Sequence, residues 1–417
     1  MKQRLIKILK WKIKKLAQWT ILRYKPTVIA VTGSVGKTST KEAIYAAFKD
    51  SNNVRKSSGN FNNEIGVPLT ILGDWQEISG IFFWQKVIFT SWNRLIFKSK
   101  YPKILILEYG ADKPNDIKYL LEIAKPKIAV ITAVGDIPAH IEAYQDREML
   151  IKEKSRLIEQ LPVSGHAVLN GDDSIVTEMQ SKTRSKVMTF GFSEGVDVRI
   201  TNFETYFNVA ADKSNNKPEG ISFKIEYKGG VIPFKIKGVL GRGQAYAVSS
   251  ASCVGLILGL NLVQVSESVF KNYEIPPRRM NLLKGMKETT IIDDSYNSSP
   301  LAVKEAIVAL GEIQNLRRVA ILGDMLELGR YSPEAHKIIG ALAKSRVDVL
   351  ITVGTKARFI VEGALAKDFN KNKIFGFATV NEAEKFVLET IRKGDVILVK
   401  ASRAVGLDKI VDELRVM

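Results

Sequence analysis

One cysteine, Cys253, stands in the whole chain of 417 residues. That excludes an intramolecular disulfide framework and a cysteine-rich zinc site, and it fits a reduced, cytoplasmic setting. Histidine is nearly as scarce: His140, His166 and His336 leave no material for a histidine-rich metal centre. No uninterrupted run of about 20 apolar residues is present to span a bilayer. Low-complexity segments and internal repeats are also missing, and the hydrophobic content is that of an ordinary globular protein.

Acid is missing where base is dense. The first 25 residues carry Lys2, Arg4, Lys7, Lys10, Lys12, Lys14, Lys15, Arg23 and Lys25, and no Asp or Glu. Leu5, Ile6, Leu9, Ile13 and Leu16 recur at helical spacing, with Arg4, Lys7, Lys14 and Lys15 mainly on the other side. A basic amphipathic helix over 1–26 is expected, lacking the apolar core and cleavage site of a signal peptide. Two destinations are open to it: an anionic membrane surface, contacted through residues 1–25, or the body of the protein. The net charge of +18 predicts attraction to anions more generally.

What is there begins at residue 28. A short apolar run, 28–31, leads into Thr-Gly-Ser-Val-Gly-Lys-Thr-Ser-Thr (32–40) and then a helix-like run, 41–48. Strand, glycine turn, Lys-Thr, helix is the layout of a phosphate cradle. Glycine lets backbone N–H groups approach an anion, and the helix N-terminus adds partial positive charge. Lys37 supplies a point charge for terminal phosphates, and the Thr38 hydroxyl can hold Mg²⁺. The loop is shorter than the standard Walker pattern, which needs a glycine where Val31 stands.

The chain alternates strand-like and helix-like segments from 27 to about 274. Strands are expected at 28–31, 104–107, 128–132 and 167–169, separated by segments long enough for crossover helices, so a parallel doubly wound sheet is predicted. A β-rich stretch, 187–236, and a small-residue helix, 245–260, follow. Ile275-Pro276-Pro277-Arg278-Arg279 reads as a linker. Alternation then resumes, with strands at 290–292, 319–322, 349–353, 374–377 and 396–399, a second α/β domain of Rossmann-like pattern. The expected division is a helix at 1–26, a central P-loop ATPase domain at 27–277 and a C-terminal domain at 278–417. The aromatic-rich segment 78–97 fits either a membrane headgroup boundary or a buried hairpin.

Glu108 closes the apolar run 104–107. In an open parallel sheet that end of a strand lies on the same edge as the phosphate loop, where a carboxylate can hold Mg²⁺. His140 follows the strand at 128–132 and falls on the same edge.

These residues belong to a wider pattern. Asn-Phe-Asn-Asn-Glu-Ile-Gly-Val-Pro (60–68), Leu-Glu-Tyr-Gly-Ala-Asp (107–112) and Leu-Asn-Gly-Asp-Asp (169–173) follow the glycine loop. Arg-Arg-Met (278–280), Asp-Asp-Ser-Tyr-Asn-Ser-Ser-Pro (293–300), Leu-Gly-Asp-Met-Leu-Glu-Leu-Gly (322–329) and Val-Lys-Ala-Ser-Arg (399–403) complete it. In this order the chain resembles the Mur ligases, the ATP-dependent amide-forming enzymes of peptidoglycan precursor synthesis, and among them the type that adds D-alanyl-D-alanine. The short phosphate loop is typical of that family.

The resemblance implies a reaction. A muramoyl-peptide carboxylate takes the γ-phosphoryl group of ATP, and the amine of D-alanyl-D-alanine attacks the acyl phosphate. It also implies roles. Gly33, Ser34, Val35, Gly36, Lys37, Thr38 and Ser39 would hold ATP, with Arg279 reaching its phosphates and Asp294 near the ribose. Thr38 and Glu108 would bind one Mg²⁺ and His140 a second. Lys154 matches the lysine carried as a carbamate that also ligates Mg²⁺, with Lys152 as the alternative register. Asn60, Asn62 and Asn63 fit the precursor-binding loop; Lys400 and Ser402 fit the region for the incoming amino component. Two departures stand out. Gly243-Gln244 replaces the family's usual His-Asn or His-Gln. The family's N-terminal UDP-sugar domain has, in this sequence, the expected basic helix in its position.

The expectation is therefore a monomeric ATP- and Mg²⁺-dependent peptide ligase, cytoplasmic or peripheral on the inner membrane face. A related ligase acting on a lipid-linked precursor is the first rival. A basic P-loop nucleic-acid-binding protein is the second; it lacks a nucleic-acid-binding module and leaves Glu108 without a role.

Overall fold

The structure, a computed structural model, describes residues 2–51, 53–59, 61–97, 99–208 and 217–416. The chain starts with helix α1 (Lys2–Tyr24), then strand β1 (Thr27–Thr32), α2 (Lys37–Phe48), β2 (Val54–Lys56), α3 (Gly66–Leu72) and α4 (Gly80–Ile96). Next come β3 (Ile104–Glu108), α5 (Asp116–Ile123), β4 (Ile128–Ile131), α6 (Arg147–Glu159), β5 (His166–Asn170), α7 (Ser174–Glu178) and β6 (Lys186–Gly191). A meander, β7 (Val198–Asn208), β8 (Lys217–Tyr227) and β9 (Gly230–Lys237), leads to α8 (Arg242–Ile257) and α9 (Leu262–Asn272).

These strands make one nine-stranded sheet in the order β2-β3-β1-β4-β5-β6-β7-β8-β9. Pairing is parallel through β7 and antiparallel in the meander. The parallel strands are apolar on both faces because helices cover both; β1 is buried at every position but the first. In β9 burial alternates, as expected of a strand with one face open. The chain leaves β1 for β2 and β3 on one side and for β4 on the other. That reversal opens a crevice at the carboxyl end of β1, where α/β sheets bind ligands.

The second sheet is built from β10 (Asn281–Lys284), β11 (Thr290–Asp293), α10 (Pro300–Gly311), β12 (Arg318–Gly323), α11 (Ser332–Ala343), β13 (Val349–Val353) and α12 (Arg358–Leu365). It ends with β14 (Ile374–Phe377), α13 (Val380–Thr390), β15 (Val396–Lys400) and α14 (Asp408–Leu414). Its order is β10-β11-β15-β12-β13-β14, parallel except for the edge strand β10. Each strand expected from 290 onward is present. The edge strands β2 and β10, three and four residues long, carry too short a pattern to be read from sequence.

The apolar stripe of α1 is turned inward, so of the two destinations open to it Ile13, Leu16 and Ala17 take the body of the protein and do not enter a membrane interface. Ile13, Leu16 and Ala17 are buried in the core with α3 and α5, and Leu9 packs at its margin; the Leu5 side chain lies outside the described residues. Two cations also face the body: Lys10 pairs with Glu64 at 2.7 Å and Lys14 with Glu122 at 2.6 Å. The segment 78–97 is one helix, α4, packed beside α1, rather than a hairpin. Among the described residues no helix is long and apolar enough to cross a membrane.

Candidate active site

β1 ends at Thr32, and residues 33–36 turn the chain into α2. Gly33 has φ +144°, and a Cβ there would lie 2.0 Å from Thr132 Oγ1, so no side chain fits. Gly36, at φ +87°, makes the second left-handed step into the helix. The Ser34 and Val35 N–H groups donate to the Ala133 carbonyl at 2.6 and 3.2 Å, tying the loop to the end of β4. The α2 N-terminus has no side-chain cap, so its first-turn N–H groups remain for a ligand. The Ser34 hydroxyl is buried with no hydrogen-bond partner among the described residues. A buried unpaired hydroxyl costs stability unless a ligand completes it, and a phosphate oxygen would.

Three lysines converge beneath the loop. Lys37 Nζ donates to the carbonyls of Gly33 at 2.9 Å and Ser34 at 3.4 Å. Lys154, on α6, donates to the same Gly33 oxygen at 3.1 Å. Burial lowers the pKa of Lys37. Burial, then the neighbouring Lys37 charge, pushes Lys154 down to about 7. Lys152 is exposed on the other side of α6. Lys41, one turn beyond Lys37, is fully buried and donates to the Gly59 carbonyl at 3.0 Å.

Glu108 stands beside Val31 in the β1–β3 register, which brings it to the loop. Its Oε2 accepts from the Thr38 hydroxyl at 3.2 Å, and Oε1 accepts from the Asn62 amide at 3.2 Å. Lys41 Nζ is 3.7 Å from Oε2. The carboxylate is therefore buried, oriented and balanced by a cation.

The second sheet supplies the facing wall. Asp294 follows β11 and Lys400 ends β15, and parallel pairing of those strands sets Lys400 Nζ 2.6 Å from Asp294 Oδ2. The Arg279 guanidinium lies over the Tyr296 ring at 4.3 Å. His140, in left-handed backbone after β4, joins the halves: its Nδ1 is 2.6 Å from Glu327 Oε2, and its Nε2 is 3.7 Å from Asp112. The imidazole hydrogen bond holds the Glu327 carboxyl below its usual range. A cleft of about 390 Å³ between the walls is lined by Lys37, Thr38, Asn62, Glu108, His140, Arg279, Asp294 and Lys400.

A second hollow, of about 320 Å³, opens on the other side of Val35 and Gly36. Ile137, Ile175, Phe190, Tyr246 and Leu301 give it apolar walls, and Asn170 and Asp172 polar edges. Glu305, on α10, borders both hollows; burial and then the Asp294 charge raise its carboxyl to about 7. Gly243 leaves space between the hollows. Gln244 is buried, accepting from the Tyr273 hydroxyl at 2.5 Å and donating to the Arg279 carbonyl at 3.3 Å.

Several expected residues take other positions. Asn60 lies outside the described residues. Asn63 reaches the cleft edge, but its side-chain oxygen accepts from the N–H groups of Ile65 and Gly66 and so caps α3. Ser402 is not in the cleft wall; its hydroxyl accepts from Leu326 N–H at 2.9 Å and supports the loop carrying Glu327. Sequence reasoning gave no role to Lys41, Asp112, Glu305 or Glu327. The helical offset of four from Lys37 signals Lys41; Asp112 reaches His140 through the loops after β3 and β4, and Glu305 and Glu327 depend on how the two halves meet.

Comparison with known proteins bears on the same residues. The Mur ligase middle domain matches residues 31–79 and 91–255, and the Mur ligase glutamate ligase domain matches 278–403. The chain belongs to the Mur ligase family. A UDP-N-acetylmuramoyl-tripeptide–D-alanyl-D-alanine ligase of Bacillus subtilis (strain 168) is 30% identical over 404 residues, covering 96% of this chain and 79% of that protein. One of the same description from Mycobacterium bovis is 31% identical over 408 residues, covering 93% and 72%. Among solved structures, the MurF ligase of Thermotoga maritima in complex with ADP superposes with a TM-score of 0.77 at 27% identity, covering 97% of this chain and 83% of that one. MurF from Acinetobacter baumannii, at 24% identity and a TM-score of 0.79, shares the fold. Within the Mur ligase family, the likeness in both sequence and structure is to MurF-type ligases.

Proposed function

We propose that this chain is an ATP-dependent amide ligase of peptidoglycan precursor synthesis that joins D-alanyl-D-alanine to a muramoyl-peptide carboxylate through an acyl phosphate. The observation that carries the reading is the meeting of Lys37, Thr38 and Glu108 with Arg279 and Asp294 across one cleft. Two anions, a carboxylate and a triphosphate, must be brought together there. Preorganised cations and a helix N-terminus offset their repulsion without reorganising.

Lys37 and the α2 N–H groups would hold the terminal phosphates, Ser34 donating its unpaired hydroxyl. The more apolar hollow past Val35 would take the base. Thr38 and Glu108 fit one Mg²⁺ and His140 a second, with phosphate oxygens and water completing each shell, as Mg²⁺ sites commonly do. Among the described residues no three His, Cys, Asp or Glu side chains cluster as a self-sufficient site, so metal and nucleotide would bind together. Bound Mg²⁺ supplies charge neutralisation on the phosphates. Glu327 accepting from His140 Nδ1 fixes the tautomer that leaves Nε2 free as a ligand.

Lys154 would act as a carbamate. Its pKa of about 7 leaves an appreciable neutral amine near neutral pH; that nitrogen adds to CO₂, forms a C–N bond and releases a proton. A cation beside Lys37 thereby becomes an anion. Lys154→Ala is expected to be nearly inactive, and bicarbonate to raise wild-type activity under CO₂-depleted conditions. The enzyme would act as a monomer, since one chain supplies the whole cleft, in the cytoplasm where its nucleotide substrates occur. Phosphate release tests the reading: ATP with UDP-N-acetylmuramoyl-tripeptide should release phosphate only when D-alanyl-D-alanine is added. Release that ignores the amine would refute it.

A further inference from the structure

α4 is apolar on two sides. Its inner side, with Val87 and Phe83, packs toward the core. Its outer side carries Phe82, Phe89 and Trp92 at helical spacing, and Phe82 and Phe89 are 79% and 71% exposed. Once Leu16 and Ile13 are turned inward, α1 likewise presents Trp11, Trp19 and Leu22 outward. The two stripes adjoin: the Trp19 and Trp92 rings touch at 5.5 Å, and the Tyr24 hydroxyl donates to the Arg94 carbonyl at 2.8 Å. α1 precedes the family matches, which begin at residue 31, and the first two-thirds of α4, residues 80–90, falls in the gap between them.

The charge around this face has one sign. The 23 residues of α1 and the 17 of α4 contain no Asp or Glu. The inward cations Lys10 and Lys14 are neutralised by the body. Lys12, Lys15 and Arg23, on the outward and flanking sides, have no acidic partner among the described residues. Contiguous exposed apolar surface marks an interaction site. Tryptophan beside lysine and arginine suits the boundary between headgroups and acyl chains. A second copy of this chain would bring the same cations against themselves.

We propose that the outer faces of α1 and α4 form one docking surface for an anionic lipid bilayer. Phe82, Phe89 and Leu22 enter the interface, the tryptophans sit at headgroup depth, and the unpaired cations meet lipid phosphates, each strengthening binding roughly fivefold at low salt. Through Lys10 and Glu64, α1 also touches the loop that carries Asn62, so the docked helix borders the cleft. This inference is independent of the ligase reading, because binding is measured without substrate.

Flotation of the full chain with phosphatidylglycerol–phosphatidylcholine vesicles, against phosphatidylcholine alone, tests it. The chain should float with the anionic vesicles at low salt and be released by high salt. Two variants separate the contributions: Leu22→Ser with Phe82→Ser and Phe89→Ser, and Lys12→Glu with Lys15→Glu and Arg23→Glu. Each should bind at least tenfold more weakly, with an unchanged thermal unfolding curve and unchanged phosphate release. No flotation with anionic vesicles, or equal flotation of wild type and both variants, would overturn the proposal. So would self-association abolished by the apolar variant, which would make the occupant a second copy, or a preference for duplex DNA over vesicles.

Discussion

Gly33 offers one carbonyl oxygen to two ammonium groups, Lys37 and Lys154, and much of the site's chemistry follows from that crowding. Removing a preorganised charge from a phosphoryl-transfer site costs about 10²–10³ in rate. Lys37→Ala and Glu108→Ala should each fall at least that far in amide synthesis while retaining the wild-type circular dichroism; near-normal rates in either would remove these residues from the site. Glu305 gives a pH signature. Its carboxyl titrates near 7 in the folded protein against 4.5 ordinarily, so between those values the folded state binds more protons than the unfolded. The stability that Glu305 contributes must then fall as pH rises across that window. Wild type should lose thermal stability relative to Glu305→Gln between about pH 4.5 and 7 and run parallel to it outside; parallel curves throughout would deny the shift. Lys37 and Thr38 were legible in the sequence because a strand, a glycine turn and a helix set them locally, and Glu108 because it ends a strand of the same parallel sheet. Glu327 was not, because His140, its partner, is more than a hundred residues away, and Glu305 was not, because its burial against the first half of the chain is set by tertiary packing.

At the scale of elements, α1 shows why a correct pattern can leave its destination open. An apolar stripe with flanking lysines suits a bilayer and a protein body equally. The decision lay in Glu64 and Glu122, which receive Lys10 and Lys14, and in the apolar surface of α3 and α5; none of these is local to α1. Leu16→Ala should destabilise the protein by about 2–5 kcal/mol in urea unfolding, as buried leucine truncations do. A change within about 0.5 kcal/mol, typical of surface positions, would mean that α1 is not docked as described. The periodicity of α4 was equally ambiguous, since a helix apolar on two sides has no single polar face to read. Parallel strands such as β1, β4 and β13 were plain because burial on both faces leaves continuous aliphatic runs.

Across the whole molecule, two sheets present strand carboxyl ends to one cleft, and the His140–Glu327 contact already bridges it. A nucleotide held by Lys37 on one wall and Arg279 and Asp294 on the other binds the closed arrangement better and shifts the population toward it. A non-hydrolysable ATP analogue with Mg²⁺ should lower the radius of gyration in X-ray scattering, and Arg279→Ala should blunt the change; an unchanged radius at saturation would argue against closure. The central claim is that the substrate carboxylate itself is phosphorylated, and oxygen tracing tests it most directly. With the acceptor carboxylate labelled with ¹⁸O, turnover with ATP and D-alanyl-D-alanine should place one labelled oxygen in each phosphate released. Unlabelled phosphate, formed alongside amide or without it, would contradict the acyl-phosphate route.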